Sequence, residues 1–317
     1  MNEKITGMGN IWCEIVADSR NIWNSRLTTF RLHYPRFIHS EFMTHRMFSR
    51  NASSSRAIPV SKMAAQVKDA PAAPVHWGAN QTGMQAATEV EDLTLAHTKW
   101  NEAAASSVES AQQLHDMGLH KQIVNRVLEP FQFMNVIMSA TDMENFFWLR
   151  CHKDAQPEIQ ELARVMFEAY SKSQPETLRH GEWHTPYVDH LRDSGGNLVY
   201  QSEGEPISLE DALAISSSCC AQVSYRNLDN SLEKAKKIFG ILIEMKPLHA
   251  SPFEHVATPF SEQYNMDMVS LHGKAAEMGH ELPQLLYNGN FKGWNQYRKH
   301  LDGENITETF EKPVDNR

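Results

Sequence analysis

Thr44-His45-Arg46-Met47-Phe48-Ser49-Arg50-Asn51-Ala52-Ser53-Ser54-Ser55-Arg56 contains three arginines, one histidine and four serines, and no acidic residue. The acid-free run extends over residues 42–68, although the whole chain has a formal net charge of -9. Arginine offers a planar fork of donors and serine hydroxyls add orientable hydrogen bonds, so the segment favours a phosphate-bearing ligand. Strand-like residues 27–32 and 36–42 lead into it and Ile58-Pro59 ends it, as expected for a ligand loop on a rigid element.

Two plainer interpretations of the same segment stay open. A run of like charges is often only a solvated face of a protein, and a serine-rich run is often only a turn. A serine nucleophile is not favoured, because the chain has no G-x-S-x-G elbow and no obvious acid–histidine partner nearby in sequence.

The composition indicates a folded protein and argues against several classes. At 317 residues, 41% of them hydrophobic, the chain is long enough to bury a substantial core. No apolar run approaches the roughly 20 residues that cross a bilayer, and no signal-peptide pattern is present at the start. The overall acidity argues against a nucleic-acid polymer as the partner. Four cysteines without C-x-x-C spacing indicate a reduced protein with no thiol metal site, so we expect a cytoplasmic location.

The hydrophobic pattern predicts strands and helices along the whole chain. Strands are expected at residues 11–18, 28–32 and 131–139, with a turn at 18–25. Helices are expected at residues 84–117, 119–129, 142–151, 157–169, 208–225 and from 231 onward. Pro157 suits the first position of a helix, where its missing N–H costs nothing, and Ser208 has the S-x-x-D form of a helix start.

The middle of the chain, residues 171–206, is polar and rich in glycine and proline, which indicates loop-like surroundings. It contains His180, His184 and His190, the first two at a spacing that binds metal when it lies on a helix. Pro186 and the loop-like surroundings argue against such a helix, and no third ligand has a clear spacing. No metal site is expected.

Three segments resemble one family. His45-Arg46, seven residues and then Ser54, with Arg56 two positions later, resembles the R-H-R-x7-S signature of the flavin-dependent thymidylate synthases (the ThyX family). His249-Ala250-Ser251-Pro252-Phe253-Glu254-His255 resembles its H-x-x-P-F-E-H segment. Asn145-Phe146-Phe147-Trp148-Leu149-Arg150, followed by Ala155-Gln156-Pro157-Glu158-Ile159, resembles its N-F-x-x-L-R…A-Q-x-E-I region. The P-F-E-H segment usually comes first, so the chain resembles a rearranged, bacteriophage-type member.

The resemblance implies an α/β (α+β) fold with a mixed or antiparallel sheet, long helices and segments in permuted order. We expect residues 1–302 to form a single catalytic domain that includes residues 171–206 as an insertion, followed by a loose polar tail at 303–317. The family's members are homotetramers whose subunits share their active sites, so a homotetramer is expected here. A bacteriophage member would act in the host cytoplasm.

The family's reaction transfers a one-carbon unit from methylenetetrahydrofolate to C5 of dUMP, while NADPH reduces FAD and the reduced flavin supplies a hydride. The resemblance implies these three cofactors and a small nucleotide substrate. The expected dUMP contacts are Glu41, Ser53, Ser54, Ser55, Arg56, Arg126 and Arg150. The expected FAD contacts are Thr44, His45, Arg46, Asn145, Asp154, Ser251 and Glu254. The expected catalytic residues are Arg150, whose cation would stabilise negative charge on the ring carbonyl, and His249.

The chain departs from the family pattern at three of these positions. Thr44 replaces the first arginine of the signature, Glu41 replaces a common glutamine, and Asp154 replaces a histidine found in some members. Loss of a cation at Thr44 weakens an anion contact unless another residue compensates, and we expect Arg298 or Lys299 to supply that charge. Two other functions stay open: hydroxymethylation of dUMP or dCMP, and nucleotide or flavin binding without catalysis.

Overall fold

The computed structural model describes residues 3–224, 228–245, 248–277 and 287–305. Its strands are β1 (Ile5–Thr6), β2 (Trp12–Asn21), β3 (Arg26–Pro35), β4 (Ser49–Ala52), β5 (Phe133–Ala140), β6 (Glu176–Leu178), β7 (Asp189–Arg192), β8 (Leu198–Ser202), β9 (Glu205–Ile207), β10 (Ala257–Pro259), β11 (Tyr287–Asn288), β12 (Phe291–Lys292) and β13 (Trp294–Gln296). Its α-helices are α1 (His39–Phe42), α2 (Val60–Asp69), α3 (Leu93–Asp116), α4 (Lys121–Val124), α5 (Glu144–Arg150), α6 (Pro157–Lys172), α7 (Leu209–Ala221), α8 (Leu232–Glu244) and α9 (Glu262–Glu277). None of the helices within the described ranges is long and apolar enough to cross a membrane.

The central element is a six-stranded sheet in the order β1-β2-β3-β5-β4, with β6 also paired to β2. Every pairing in this sheet is antiparallel except β2 with β6, so the expected mixed sheet is confirmed. The β2–β3 turn is held by the Asn21 side chain, whose oxygen accepts the N–H groups of Trp23 at 3.0 Å and Ser25 at 2.9 Å. Together with the long helices α3 and α6, this establishes the α+β class.

One face of the sheet is apolar and packs against α5 and α6. Its buried core includes Phe30, Leu32, Val136, Met138, Phe146, Ile159, Leu162 and Val165. Each large side chain buried in this way contributes about 1.5–3 kcal/mol. The predicted start of α6 is confirmed: Pro157 is its first residue, and the Gln156 side chain accepts the N–H of Ile159 at 3.1 Å.

The opposite face of the sheet carries a buried chain of polar side chains. Ser19 bonds His184 at 2.8 Å, and His184 bonds Thr29 at 2.8 Å. Thr29 bonds Ser139 at 2.6 Å, and Ser139 bonds Nδ1 of His255 at 2.9 Å. Burial lowers the pKa of both histidines to about 3, so both rings are neutral. This chain joins β2, β3 and β5 to the 3-10 segment Ser251–His255.

The strand predicted at residues 36–42 is wrong. Arg36–Ile38 is a 3-10 turn and His39–Phe42 is α1. Pro35 ends β3, and the two buried residues Ile38 and Phe42 are four positions apart, a spacing that suits one face of a helix.

Three other boundaries differ from the prediction. The turn predicted at residues 18–25 begins only after Asn21, because Asp18 is bound across the strands by Arg26 at 2.6 Å. The helix predicted at residues 84–117 starts at Leu93, where the Asp92 side chain caps the first turn. The helix predicted at residues 119–129 shortens to α4, because Asn125 uses its side chain to bind distant carbonyls and the chain continues in turns.

The predicted insertion contains regular structure. Residues 171–206 include β6, paired with β2, and a three-stranded sheet, β7-β8-β9. His184 also pairs through its backbone with Ala257, with N···O distances of 2.8 and 3.3 Å in the two directions. The Ser208 cap is confirmed, since its hydroxyl accepts the N–H of Asp211. Tyr225, the predicted end of that helix, and residues 306–317 of the predicted tail lie outside the described residues.

Candidate active site

The turn between α1 and β4 contains the signature-like residues Thr44, His45 and Arg46, and Arg50 holds it together. One guanidinium nitrogen of Arg50 donates to the carbonyls of Phe42, Met43 and His45, at 3.4, 3.2 and 3.0 Å. The Thr44 hydroxyl donates to the carbonyl of Glu41 at 2.7 Å. Arg50 therefore holds the backbone of the turn in place, while Thr44 and Arg46 remain exposed.

Arg150, the last residue of α5, joins two of the expected ligand contacts. Its Nε donates to Nε2 of His45 at 2.9 Å, and its NH1 donates to Glu41 in a short ion pair. Burial, followed by the charges of Arg150 and Arg50, lowers the pKa of His45 to about 4. The ring is neutral at physiological pH, and because Nε2 accepts from Arg150 its proton lies on Nδ1.

Aromatic rings fix the orientation of the His45 ring. Phe146 meets the ring edge-on with centroids 4.8 Å apart, and Phe48 stacks on it at 5.7 Å. Both phenylalanines belong to the apolar core beneath the turn. The Glu41, His45 and Arg150 side chains therefore form one constrained group at the start of β4.

The Ser251–His255 segment reaches the same end of β4 from the other side. Gln296 of β13 donates its side-chain amide to the Ser49 hydroxyl at 3.2 Å and to the Glu254 carbonyl at 3.3 Å. The Glu254 carboxylate forms a short ion pair with Arg298 and interacts electrostatically with Arg50. Segments some two hundred positions apart in sequence are therefore brought together here.

The serine loop lies at the far end of β4, about 13 Å away at strand geometry. Ser53 is buried and exchanges two hydrogen bonds with Asn135, N···O 2.8 Å and Oγ···N 3.2 Å. The N–H of Ser54 donates to the Ser224 hydroxyl at 2.9 Å, and the N–H of Arg56 donates to the Ser54 hydroxyl at 3.3 Å. Ser55 is buried, and the Arg56 guanidinium is exposed.

The other expected contacts lie at the margins of this arrangement. Arg126 pairs with Glu129 at 2.9 Å beyond α4 and is 59% exposed. Asn145 is exposed on the first turn of α5, and Asp154 lies 3.6 Å from His152 after that helix. His249 is exposed, with its Nε2 3.5 Å from the Ser251 hydroxyl. Their ligand roles stay predictions.

The three histidines of the middle region all bind protein atoms. His180 bonds the Pro259 carbonyl at 2.9 Å, and His190 bonds Thr185 at 2.6 Å and Glu176 at 2.7 Å. His184 belongs to the buried polar chain described above. No cluster of three or more His, Cys, Asp or Glu side chains suited to a metal ion occurs among the residues that the structure describes.

The profile of the family described as "Thymidylate synthase complementing protein", Thy1, matches residues 21–176. The match covers 156 of the 317 residues, so this part of the chain is similar to the Thy1 family. The matched region includes the 44–56 segment and Arg150, the two elements that meet at His45. The P-F-E-H-like segment lies outside the matched region, although the structure places it beside β4.

Two solved structures of a UMP/dUMP methylase, PolB from Streptomyces cacaoi, are similar to the chain. The complex with 5-Br dUMP is 19% identical, with a TM-score of 0.44 over 53% of this chain and 93% of that chain. The complex with 5-Br UMP is 18% identical, with a TM-score of 0.41 over 53% and 92%. Likeness at this level carries no functional argument. No curated protein matches the chain.

Four residues in or beside the Thy1 region contact the candidate site although the sequence analysis did not assign them to it. Arg50 braces the turn, Ser224 and Asn125 support the serine loop, and Gln296 links Ser49 to the Glu254 segment. Arg50 lies within the acid-free run, so the sequence carried a signal for it. The contacts of Ser224, Asn125 and Gln296 join residues distant in sequence, which no local pattern displays.

Proposed function

We propose that the protein is a flavin-dependent thymidylate synthase. It would transfer a one-carbon unit from methylenetetrahydrofolate to C5 of dUMP, giving dTMP, with FAD and NADPH as cofactors. The observation that carries the proposal is the group formed by Arg150, Glu41 and neutral His45 at the turn of the Thy1-matched region. Glu254, an expected FAD contact, borders the same turn as Glu41 and Arg150, two of the expected dUMP contacts.

The residues present suit a nucleotide and a flavin. Arg46 and Arg56 present exposed guanidinium groups, which are strong partners for phosphate oxygens. Ser54 lies between them in sequence and is held by Ser224 rather than left free. FAD, when bound near Arg46, His45 and Glu254, would supply the hydride that completes the methyl group. NADPH would reduce it.

Arg150 is the residue that we assign to charge stabilisation. Its contacts within the described residues use Nε and NH1, which leaves NH2 to bind a carbonyl of the pyrimidine. Glu41 and His45 hold the guanidinium in place before any ligand binds, so no reorganisation is needed when negative charge develops on the ring. Because His45 is neutral, it does not compete with Arg150 for the Glu41 carboxylate.

The cysteines are consistent with a reaction that needs no enzyme nucleophile. Burial raises the pKa of Cys13 and Cys219 to about 12, and burial also raises the pKa of Cys220 well above its ordinary value. The pKa of Cys151 is also raised by burial. A thiol with a raised pKa holds little thiolate at neutral pH and is a poor nucleophile.

Glu41 favours a second candidate, an enzyme that modifies dCMP. A carboxylate accepts a hydrogen bond from the exocyclic amino group of cytosine, whereas it is repelled by O4 of uracil, because both groups are hydrogen-bond acceptors. The Arg150 ion pair engages Oε1 of Glu41, so the other oxygen is available for such a contact. The mass of the product distinguishes the base, and it also distinguishes a methyl from a hydroxymethyl group.

We further propose that the enzyme is a homotetramer whose subunits share their active sites. Trp148, 75% exposed, and Leu149, 41% exposed, immediately precede Arg150 on α5. Phe167 on the adjoining helix α6 is also largely exposed and contacts Phe147. Such apolar residues beside the site suit a subunit interface. Light scattering of Trp148→Glu protein, compared with wild type, tests this.

The function is tested by adding dUMP labelled with tritium at C5, methylenetetrahydrofolate and NADPH to the purified protein. We expect a yellow protein that releases tritium and forms dTMP. Arg150→Ala should lower turnover by about 100-fold or more, the usual loss for a preorganised charge contact. Lys153→Ala removes the same charge from an exposed position three residues later and should leave turnover unchanged. A colourless protein without tritium release, or equal turnover in both variants, would contradict the proposal.

A further inference from the structure

Arg298 and Lys299 together hold one carboxylate, that of Glu304. Nε of Arg298 donates to one carboxylate oxygen at 2.8 Å, and Nζ of Lys299 donates to the other at 2.7 Å. NH2 of Arg298 lies 3.4 Å from the backbone carbonyl of Glu304. These contacts, that of Lys299 first, lower the pKa of Glu304, so it is an anion at neutral pH.

A tight turn brings Glu304 back onto the two cations. The N–H of Leu301 donates to the Arg298 carbonyl at 3.2 Å, and the N–H of Glu304 donates to the Leu301 carbonyl at 3.4 Å. Gly303 has φ +77°, a left-handed conformation that glycine adopts without strain. The carboxylate is therefore delivered by a short local turn, residues 301–305, that belongs to no strand of the sheet.

The pair of cations borders the candidate site. NH1 of Arg298 forms the ion pair with Glu254, and Gln296, two residues earlier, binds Ser49 at the start of β4. Arg50, which braces the turn of Thr44, interacts with Glu254. Thr44 itself supplies a hydroxyl and no charge.

We propose that Arg298 and Lys299 form a phosphate-binding site and that Glu304 is its tethered competitor. Three donor groups, Nε and NH2 of Arg298 and Nζ of Lys299, now serve Glu304, and all three suit phosphate oxygens. Arg298 keeps its NH1 contact with Glu254 while a phosphate replaces Glu304. Arg298, Lys299, Glu254 and Glu304 together carry no net charge. Displacement of the Glu304 carboxylate leaves a net charge of one positive unit for the ligand. This site would supply the cation that Thr44 lacks.

The identity of the phosphate carrier rests on the proposed function, with two sources to separate: the pyrophosphate of FAD and the phosphate of the nucleotide. The experiment uses the full chain and isothermal titration with inorganic pyrophosphate, FAD and dUMP. Glu304→Gln removes the competing charge and keeps the turn. Asp302→Asn is the matched control, because Asp302 is exposed in the same turn and changes the net charge equally.

We expect Glu304→Gln to bind inorganic pyrophosphate about fivefold more tightly than wild type, since a partly exposed ion pair is worth up to about 1 kcal/mol. Asp302→Asn should bind as wild type does, and adding Arg298→Gln to Glu304→Gln should remove the gain. A parallel gain for FAD identifies the flavin pyrophosphate as the source, and a gain for dUMP identifies the nucleotide. Equal affinities in wild type and Glu304→Gln, or the same gain in Asp302→Asn, would overturn the inference. A gain for pyrophosphate in a protein that binds neither FAD nor dUMP would contradict the proposed function and leave this site standing.

Discussion

The buried polar chain should make the fold sensitive to acid, and His255 allows the effect to be measured. Burial holds its pKa at about 3, against 6.5 for a solvated imidazole. Between these two pH values His255 is protonated in the unfolded chain and neutral in the folded chain. The contribution of neutral His255 to the free energy of unfolding is therefore fully present above pH 6.5, and it is lost progressively as the pH falls towards 3.

At pH 5 the expected loss from His255 alone is about 2 kcal/mol, because the pH lies 1.5 units below 6.5 and each unit is worth about 1.4 kcal/mol. His184, also fully buried with its pKa lowered to about 3, should lose a similar amount. His255→Gln keeps an amide able to bond Ser139 but cannot take up a proton. The variant should therefore lose about 2 kcal/mol less than wild type between pH 7 and pH 5.

The assay is urea unfolding followed by tryptophan fluorescence, with the free energy of unfolding extrapolated to water at each pH. Other histidines contribute equally to both proteins, so they cancel in the difference. His115→Gln, at an exposed position on α3, is the matched control and should follow wild type. If wild type and His255→Gln lose the same free energy between the two pH values, the neutral buried histidine is refuted.

Three further substitutions test the support of the site. Arg50→Gln removes the donor to three carbonyls of the turn and should weaken FAD binding about tenfold by fluorescence titration, with unchanged affinity arguing against the brace. Ser224→Ala removes the acceptor for the N–H of Ser54 and should raise KM for the nucleotide about fivefold at constant kcat; a loss in kcat alone would contradict a binding role. Asn125→Leu removes the donor to the buried Ser55 carbonyl and to the partly buried Ile58 carbonyl, and should lower the free energy of unfolding by about 2–4 kcal/mol in urea; a change below about 0.5 kcal/mol would contradict this account.

Where the sequence predicted elements well, periodicity and boundary residues agreed. Residues 131–139 are mainly apolar and strand-like, and β5 covers Phe133–Ala140. Pro157 and Ser208 both mark the starts of helices, because a missing N–H and a free hydroxyl suit the first turn whatever surrounds it. The strand predicted at residues 36–42 is wrong because a short segment with only three apolar residues suits a strand and a helix equally, and Pro35 already ends β3.

The candidate site could be predicted in its segments but not in its contacts. The spacing of His45, Arg46 and Ser54 is local, so the sequence displays it directly. The contact of Arg150 with Glu41 joins residues 109 positions apart, and neither neighbourhood signals the other. The sequence also did not indicate that Ser53 and Ser55 are buried in the folded protein. Ser54 and Arg56 are the more accessible residues of the loop.

The arrangement of the chain has a consequence for how it becomes active. Side-chain bonds join Asn21 to Gly293 and Ser49 to Gln296, across 272 and 247 positions. During synthesis the Thy1-matched region leaves the ribosome long before Glu254 and Gln296 exist, so its sheet must wait with one flank uncovered. High contact order of this kind slows folding. Truncation before Trp294 would thus remove β13 and, with it, the Gln296 side chain that links the Glu254 carbonyl to Ser49.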